Sequence, residues 1–293
     1  MGSLDEPLEE SAPLARRLAA TLCRRDPATG ESCAWTHGFW QHLRLMGLAS
    51  GPGRHAEFFR NAFDQVDARS GAPRVLISGT ADYGMLAHVL AAFRARSVEP
   101  EITVLDLCET PIALCRWYAE RSGCDIRTWH GDVLAYRESA RFDAICTHSF
   151  LSYFSPERRA DLLARWRELL SPGGRAITVN ALRPGPVSEL VGLGPAQALA
   201  LRENVLRWAE ANRSRLQVEP LELFRDAEIY ATRLGFWRVQ SGEEVRRLFE
   251  RSGFRVEELI CSPAELGPGP SSELTGPTSP ANTQYVHVVA SRI

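Results

Sequence analysis

Short apolar runs alternate with longer amphipathic stretches between residues 74 and 180. Val75-Leu76-Ile77 lies between Arg74 and Ser78 and predicts a buried strand over 74–78. A helical pattern follows from Asp82 to about Arg96, and then Ile102-Thr103-Val104-Leu105 predicts a strand over 101–107. Pro111 opens a helix that runs to Arg121, proline being well tolerated in a first turn. Further strands are expected over 125–129, 142–147 and 175–180. Before the last of these, Leu162, Leu163, Trp166, Leu169 and Leu170 share one helical face, and Ser171-Pro172-Gly173-Gly174 ends that helix. Five strands alternating with helices imply a parallel sheet with right-handed crossovers.

The flanks read differently. Residues 1–70 carry no strand signal: Leu14, Leu18, Ala19 and Leu22 recur at helical spacing, and Phe58, Phe59 and Phe63 mark a further helix. Between them lies an aromatic segment, Trp35-Thr36-His37-Gly38-Phe39-Trp40. Two readings stand side by side, a helical cap packed on the core and a lid in which Trp35, His37, Phe39 and Trp40 close over a ligand. Residues 181–240 interrupt the alternation with two helical stretches, 192–216 and 220–234. A helix over 242–252, a strand over 255–261, a Pro/Gly/Ser-rich loop over 262–281 and a strand over 283–291 close the chain. The expected organisation is a cap or lid at 1–70 and an α/β domain at 71–293, with 181–240 inserted into it.

Composition narrows the function classes. The chain has 293 residues and a net charge of −2, which gives no electrostatic case for nucleic acid or an anionic membrane. Every basic side chain other than histidine is arginine, which excludes a P-loop lysine and a Schiff base. No stretch is apolar for long enough to span a bilayer, and the acidic N-terminal residues do not resemble a signal peptide. The seven cysteines are odd in number and lack CxxC spacing, so reduced thiols in a cytoplasm are expected. No His/Cys/carboxylate group has metal-ligand spacing along the chain, so no metal is expected.

The chemistry centres on 74–106. A strand ends in Ser78-Gly79-Thr80-Ala81-Asp82-Tyr83-Gly84, a helix follows, and the next strand ends in Asp106, where a carboxylate can accept from ribose hydroxyls. Ala81 replaces the middle glycine that a dinucleotide pyrophosphate needs. Asp82 most simply caps the following helix. After strand 3 comes Gly131-Asp132, and Phe142-Asp143-Ala144-Ile145 opens strand 4.

These features, in this order, resemble the class I S-adenosylmethionine-dependent methyltransferases over roughly residues 72–180 and 240–291. The resemblance implies a Rossmann-like, seven-stranded, mostly parallel sheet with an N-terminal helical cap and a helical insertion after strand 5. It also implies S-adenosylmethionine as cofactor. On that pattern the loop residues Ser78, Gly79, Thr80 and Ala81 receive the cofactor's methionine end, Asp106 binds its ribose and Gly131-Asp132 meets its adenine, with Leu107, Val133 and Thr147 as further cofactor-binding residues. His148, Ser149, Tyr153 and Asn180 should face one crevice, because strands 4 and 5 are neighbours. His148 is the natural general base and Tyr153 a candidate for cation–π contact with the sulfonium. His88 and His287 fall inside a helix and a strand and read as structural.

Three functions follow. The first is methyl transfer to a small molecule in specialised metabolism, with a homodimer compatible. The second is cyclisation of S-adenosylmethionine to azetidine-2-carboxylate and methylthioadenosine, by a weaker resemblance to azetidine-2-carboxylate synthases on the same fold. The third is non-catalytic ligand binding.

Overall fold

The computed structural model describes residues 6–25, 29–67, 71–139, 141–185, 190–263 and 283–293. Seven strands form one sheet: β1 (Arg74–Ser78), β2 (Glu101–Asp106), β3 (Ile126–His130), β4 (Phe142–His148), β5 (Leu170–Ala181), β8 (Phe254–Pro263) and β9 (Gln284–Arg292). Their order is β3-β2-β1-β4-β5-β9-β8. β1 to β5 pair in parallel, and β9 runs antiparallel to both β5 and β8. The strand order reverses between β1 and β4. That reversal opens a crevice at the carboxyl ends of those two strands, the place where open α/β sheets bind ligands.

Side-chain alternation explains the layers. Val75 and Ile77 of β1 point to one face with Val104 of β2, and there they pack against α1 (Leu8–Leu22), α3 (Ala56–Asp64), α4 (Gly84–Ala95) and α5 (Glu109–Ser122). Leu76, Leu105 and Ile145 point to the other face and pack against α6 (Arg159–Leu169) and α9 (Gly242–Arg251). Both faces are covered, which is why the parallel strands read as continuous apolar runs.

A third apolar cluster joins two parts of the chain far apart in sequence. Phe39, Leu43 and Met46, from α2 (Ala34–Leu45) and its end, pack with Leu201 and Val205 of α7 (Pro195–Ala211) and with Leu223 and Tyr230 of α8 (Pro220–Arg233). Arg16 of α1 reaches Glu222 at 3.0 Å and also bonds Asp226. The N-terminal helices and the insertion thus share one core.

The alternation predicted the sheet strands to within a few residues, with two departures. β6 (Leu190–Val191) and β7 (Phe236–Trp237) form a separate antiparallel pair too short for any periodic signal. β5 begins at Leu170, which pairs with Phe142, so the Ser171-Pro172-Gly173-Gly174 turn lies within that strand's span, with Gly173 at φ 69°. The loop expected over 262–281 lies outside the described residues except for Ser262 and Pro263, which end β8. Among the described residues no helix is long and apolar enough to cross a membrane.

Candidate active site

Asp106 ends β2 at the open end of the sheet. Its two carboxylate oxygens accept backbone N–H bonds from Thr80 (2.9 Å) and Cys108 (2.8 Å), which fix the carboxylate's orientation. Burial pushes its pKa up to about 6, against the pull of those two donors. Leu107, the next residue, is 72% exposed, so an apolar surface flanks the carboxylate. Gly131 follows β3 and donates its N–H to the Asp106 carbonyl at 2.9 Å, which places the Gly131-Asp132-Val133 turn beside Asp106. Asp132 is exposed, and one of its oxygens accepts from Leu134 N–H at 2.9 Å. Val133 is buried under the turn.

The turn after β1 is built around close approach. Gly79 has φ 77°, a region that L side chains rarely adopt. A Cβ there would stand 2.2 Å from the Phe150 ring, so this ring lies directly on the loop. Thr147 Oγ1 lies 3.5 Å from the Gly79 carbonyl. Thr80 bonds the Asp82 carbonyl through its hydroxyl, and Ala81 is half-buried beside it. Ser78 differs from expectation: its hydroxyl accepts from Trp166 Nε1 at 2.9 Å, and Trp166 lies on the far face of the sheet. Only its backbone adjoins the crevice.

Asp82 does more than cap a helix. One oxygen accepts from Gly84 N–H at 2.5 Å, and the other accepts from Trp40 Nε1 (2.9 Å) and the Arg44 guanidinium (2.8 Å). Burial would lower the Arg44 pKa, but the Asp82 and Glu6 carboxylates beside it raise it above the ordinary guanidinium value. The α2 helix is therefore pinned onto the β1–α4 turn by a buried ion pair and an indole bond.

The four lid candidates separate. Trp40 is part of that pin. Phe39 is 1% exposed and meets Tyr230 edge-on at 5.8 Å, inside the cap core. Trp35 meets the same tyrosine at 5.6 Å. His37 turns to Cys23, with Nδ1 3.4 Å from Sγ. Cys23, Cys33, His37 and Cys108 bring their ligand atoms within 4.8 Å of one another, which revises the expectation of no metal-ligand group. The four come from three separate elements, so linear spacing hid them. Only Cys33 and His37 are neighbours in sequence, one helical turn apart, and two ligands alone gave no metal-site pattern.

On the acceptor side, His148 ends β4 and Ser149 follows at φ 56°, a left-handed conformation that costs a non-glycine residue about 1 kcal/mol or more. Ser149 N–H bonds the Val179 carbonyl at 2.7 Å, and Ser152 Oγ bonds the Ser149 carbonyl at 2.9 Å. The His148 ring centroid is 5.2 Å from that of His55, whose Nδ1 is 3.0 Å from His287 Nε2. Burial, and then the charge of Arg44, push the His148 pKa down to about 3. Burial also lowers His55 and His287, and takes His88 to about 4. These are neutral imidazoles at neutral pH. His148 Nε2 and His88 Nε2 are buried without a hydrogen-bond partner among the described residues. Tyr153 is 68% exposed on the turn after Phe150. Asn180 is 1% exposed and held on both sides: Oδ1 accepts from Leu151 N–H (3.1 Å), and Nδ2 donates to Thr178 (3.0 Å). Its amide shapes the turn that carries Tyr153. Phe150, Arg44 and His55 had no sequence signal, because each matters only through contacts made across the fold.

Residues 82–174 match the family described as a methyltransferase domain. No curated protein matches the chain. Among solved structures, the 1,6-didemethyltoxoflavin-N1-methyltransferase of Burkholderia thailandensis, with bound 1,6-didemethyltoxoflavin and S-adenosylhomocysteine, aligns over 100% of this chain and 92% of its own at 17% identity and a TM-score of 0.52. The magnesium protoporphyrin IX methyltransferase of Synechocystis PCC 6803, with bound S-adenosylhomocysteine, aligns over 87% of this chain and 94% of its own at 11% identity and a TM-score of 0.50. The chain spans 61% of the length of the S-adenosylmethionine-dependent methyltransferase SibL, at 20% identity and a TM-score of 0.49. The fold is that of the class I methyltransferases, and the resemblance drawn from the sequence holds.

Proposed function

We propose that this protein is an S-adenosylmethionine-dependent transferase that methylates a small molecule in specialised metabolism. The observation that carries the reading is Asp106, held by two backbone donors at the tip of β2 beside the glycine turn of β1, within a matched methyltransferase segment. In this reading Asp106 accepts from the ribose hydroxyls, and Leu107 with Gly131-Asp132-Val133 borders the adenine. The backbone at Gly79, Thr80 and Ala81 receives the methionine end, near Thr147. The sulfonium is already activated, so the chain's task is alignment of the acceptor in line with the methyl and exclusion of water. His148 holds the place of the candidate base at the end of β4, but a pKa of about 3 makes its imidazole a weak proton acceptor, so alignment of an acceptor that arrives deprotonated carries more of the reaction. Tyr153 and Ser149 border the same crevice, and Tyr153 offers a ring face to the sulfonium.

One observation favours a second reading. Asp82, the carboxylate of the β1–α4 turn, is fully engaged by Trp40, Arg44 and Gly84, which leaves it no capacity for a methionine amine received at that turn. An amine without a carboxylate partner is more easily held as the free base. The ammonium first loses a proton to solvent; the free nitrogen lone pair then attacks the Cγ carbon of the same arm as the Cγ–sulfur bond breaks onto sulfur, giving methylthioadenosine and azetidine-2-carboxylate with a protonated ring nitrogen.

Purified protein incubated with S-adenosylmethionine alone separates the readings. Methylthioadenosine without an acceptor would establish cyclisation and end the methylation reading. No product alone, but S-adenosylhomocysteine with an acceptor library, is the expected result. Tight binding with neither product would leave a ligand-binding protein. Full activity in His148→Ala would remove the proton-acceptor role.

A further inference from the structure

Three helix ends converge beneath the Asp106 turn. Cys23 caps the C-terminus of α1, Cys33 the N-terminus of α2, and Cys108 the N-terminus of α5, while His37 stands one turn into α2 on the same face as Cys33. Cys108 Sγ is 3.6 Å from both Cys23 Sγ and Cys33 Sγ, and His37 Nδ1 is 3.4 Å from Cys23 Sγ.

We propose that Cys23, Cys33, His37 and Cys108 form a closed structural zinc site that ties the N-terminal cap to the sheet domain. Zinc–sulfur bonds of about 2.3 Å and zinc–nitrogen bonds of about 2.05 Å in a regular tetrahedron give edges of about 3.8 Å between sulfurs and about 3.6 Å between sulfur and nitrogen. The three separations above fall within a few tenths of an ångström of those edges, and all four ligand atoms lie within 4.8 Å of one another. Three sulfurs and one imidazole are a donor set for zinc, not for magnesium or calcium, which take oxygen. Four protein ligands leave no open position, so the role is structural.

The surroundings suit two of the three thiolates directly, and Cys23, at a helix C-terminus, would depend on the metal for its charge. Cys33 and Cys108 occupy helix N-caps, where the helix dipole and free N–H groups favour negative sulfur. Thr110 Oγ1 is 3.1 Å from Cys23 Sγ and supplies a second-layer hydrogen bond. The chain between Cys23 and Cys33 is closed by an antiparallel bridge between Arg25 and Ser32 and by Ser32 Oγ donating to the Cys23 carbonyl at 3.2 Å. Those contacts bring the first two sulfurs together independently of a metal. A disulfide is the competing arrangement, but it would join two of the three sulfurs and leave the third thiol and the imidazole without a shared task.

The test uses the full chain, purified under reducing conditions without a metal-affinity step. Elemental analysis should give about one zinc per chain that survives dialysis and is released as thiols are titrated. Cobalt exchanged into the protein should show thiolate charge-transfer and tetrahedral ligand-field bands. Iodoacetamide with peptide mapping should find Cys23, Cys33 and Cys108 protected until a strong chelator is added, while exposed Cys261 labels throughout. Cys33→Ser should lose the zinc and Cys261→Ser should keep it. The wild-type footprint decides the matter even if Cys33→Ser fails to fold. Protein that holds no zinc, takes up neither zinc nor cobalt when reduced, and labels all three cysteines without chelator would overturn the site. So would a Cys23–Cys33, Cys23–Cys108 or Cys33–Cys108 disulfide in protein isolated without reductant and free of metal.

Discussion

Asp106 is half-buried, and desolvation holds its pKa near 6 although two N–H groups favour the anion. A raised carboxyl pKa means that ionisation is harder in the folded chain than in the unfolded one. Folding stability from this group therefore falls as pH rises from about 4 to about 6. Ribose binding has the opposite dependence, because only the carboxylate accepts two hydroxyl bonds. S-adenosylmethionine affinity should rise through about pH 6 and then level off. Titration calorimetry across that range checks it, and a flat profile would place the nucleoside elsewhere. Asp106→Ala should weaken binding by about 10- to 100-fold with an unchanged circular dichroism spectrum. Gly79 is constrained twice over, by φ 77° and by the Phe150 ring at 2.2 Å from a would-be Cβ. Gly79→Ala should lower stability by about 1–3 kcal/mol in urea unfolding. Adding Phe150→Ala should recover the steric part and leave the backbone part, whereas strictly additive losses would show that the ring is not the obstacle.

At the scale of elements, α2 is held to the β1–α4 turn by the Asp82–Arg44 pair. The side chains are 4% and 6% exposed, so the pair is screened little by solvent. Removing one partner strands the other without most of its solvation. Asp82→Ala should therefore cost about 3–5 kcal/mol in urea unfolding, even though Glu6 keeps one bond to Arg44. Asp82→Asn should cost less, because its one carbonyl oxygen can still accept either from Gly84 or from Trp40 and Arg44, though not from both sides. Equal losses for the two variants would show that the retained carbonyl oxygen contributes nothing and that the loss of the charge accounts for the whole effect. This pin explains what was legible in the sequence and what was not. The sheet strands and their helices follow periods of 2 and 3.6, which are local, and Asp106 and Gly131-Asp132 follow from position at strand tips. Asp82 reads locally as a cap because its bond to Gly84 spans two residues, while its bonds to Trp40 and Arg44 span 42 and 38. Ser78 and Asn180 fall on the strands that the periodicity predicts, but which face a hydroxyl chooses, or how an amide is satisfied, depends on partners such as Trp166 and Leu151. The cysteines of the proposed zinc site share that reason: Cys108 lies 75 residues from Cys33.

At the scale of the whole molecule, the N-terminal cap, the insertion and the sheet enclose several histidines that cannot charge in place. His42, His88 and His148 have pKa values pushed down to about 4, about 4 and about 3, first by burial and then by nearby cations such as Arg16 and Arg44. His55 is lowered in the same direction, with His148 and His287 adding to the cost of a charge. These groups lie in different layers: His42 within the cap, His88 under the β1–α4 turn, and His148 beside β5. In the unfolded chain each takes a proton near pH 6.5, so between about pH 6.5 and pH 4 the unfolded state binds more protons than the folded one. Stability must then fall as pH falls through that window, and it is unaffected by these groups above it. At pH 5 each of the three costs about 2 kcal/mol, or about 6 kcal/mol together, against a whole-domain stability of about 5–15 kcal/mol. Asp106 opposes this, but it is a single group and its window closes at about pH 6. The balance predicts cooperative acid unfolding well above the carboxylate range, seen as a steep drop in the urea midpoint between pH 6.5 and pH 5. The slope has an assignable cause. His88 Nε2 has no hydrogen-bond partner among the described residues, so His88→Leu should keep the neutral-pH stability and lower the slope by about one proton. A wild-type midpoint that is the same at pH 5 and pH 7 would mean that the imidazoles are solvated as they titrate, and that the cap and sheet open around them without unfolding.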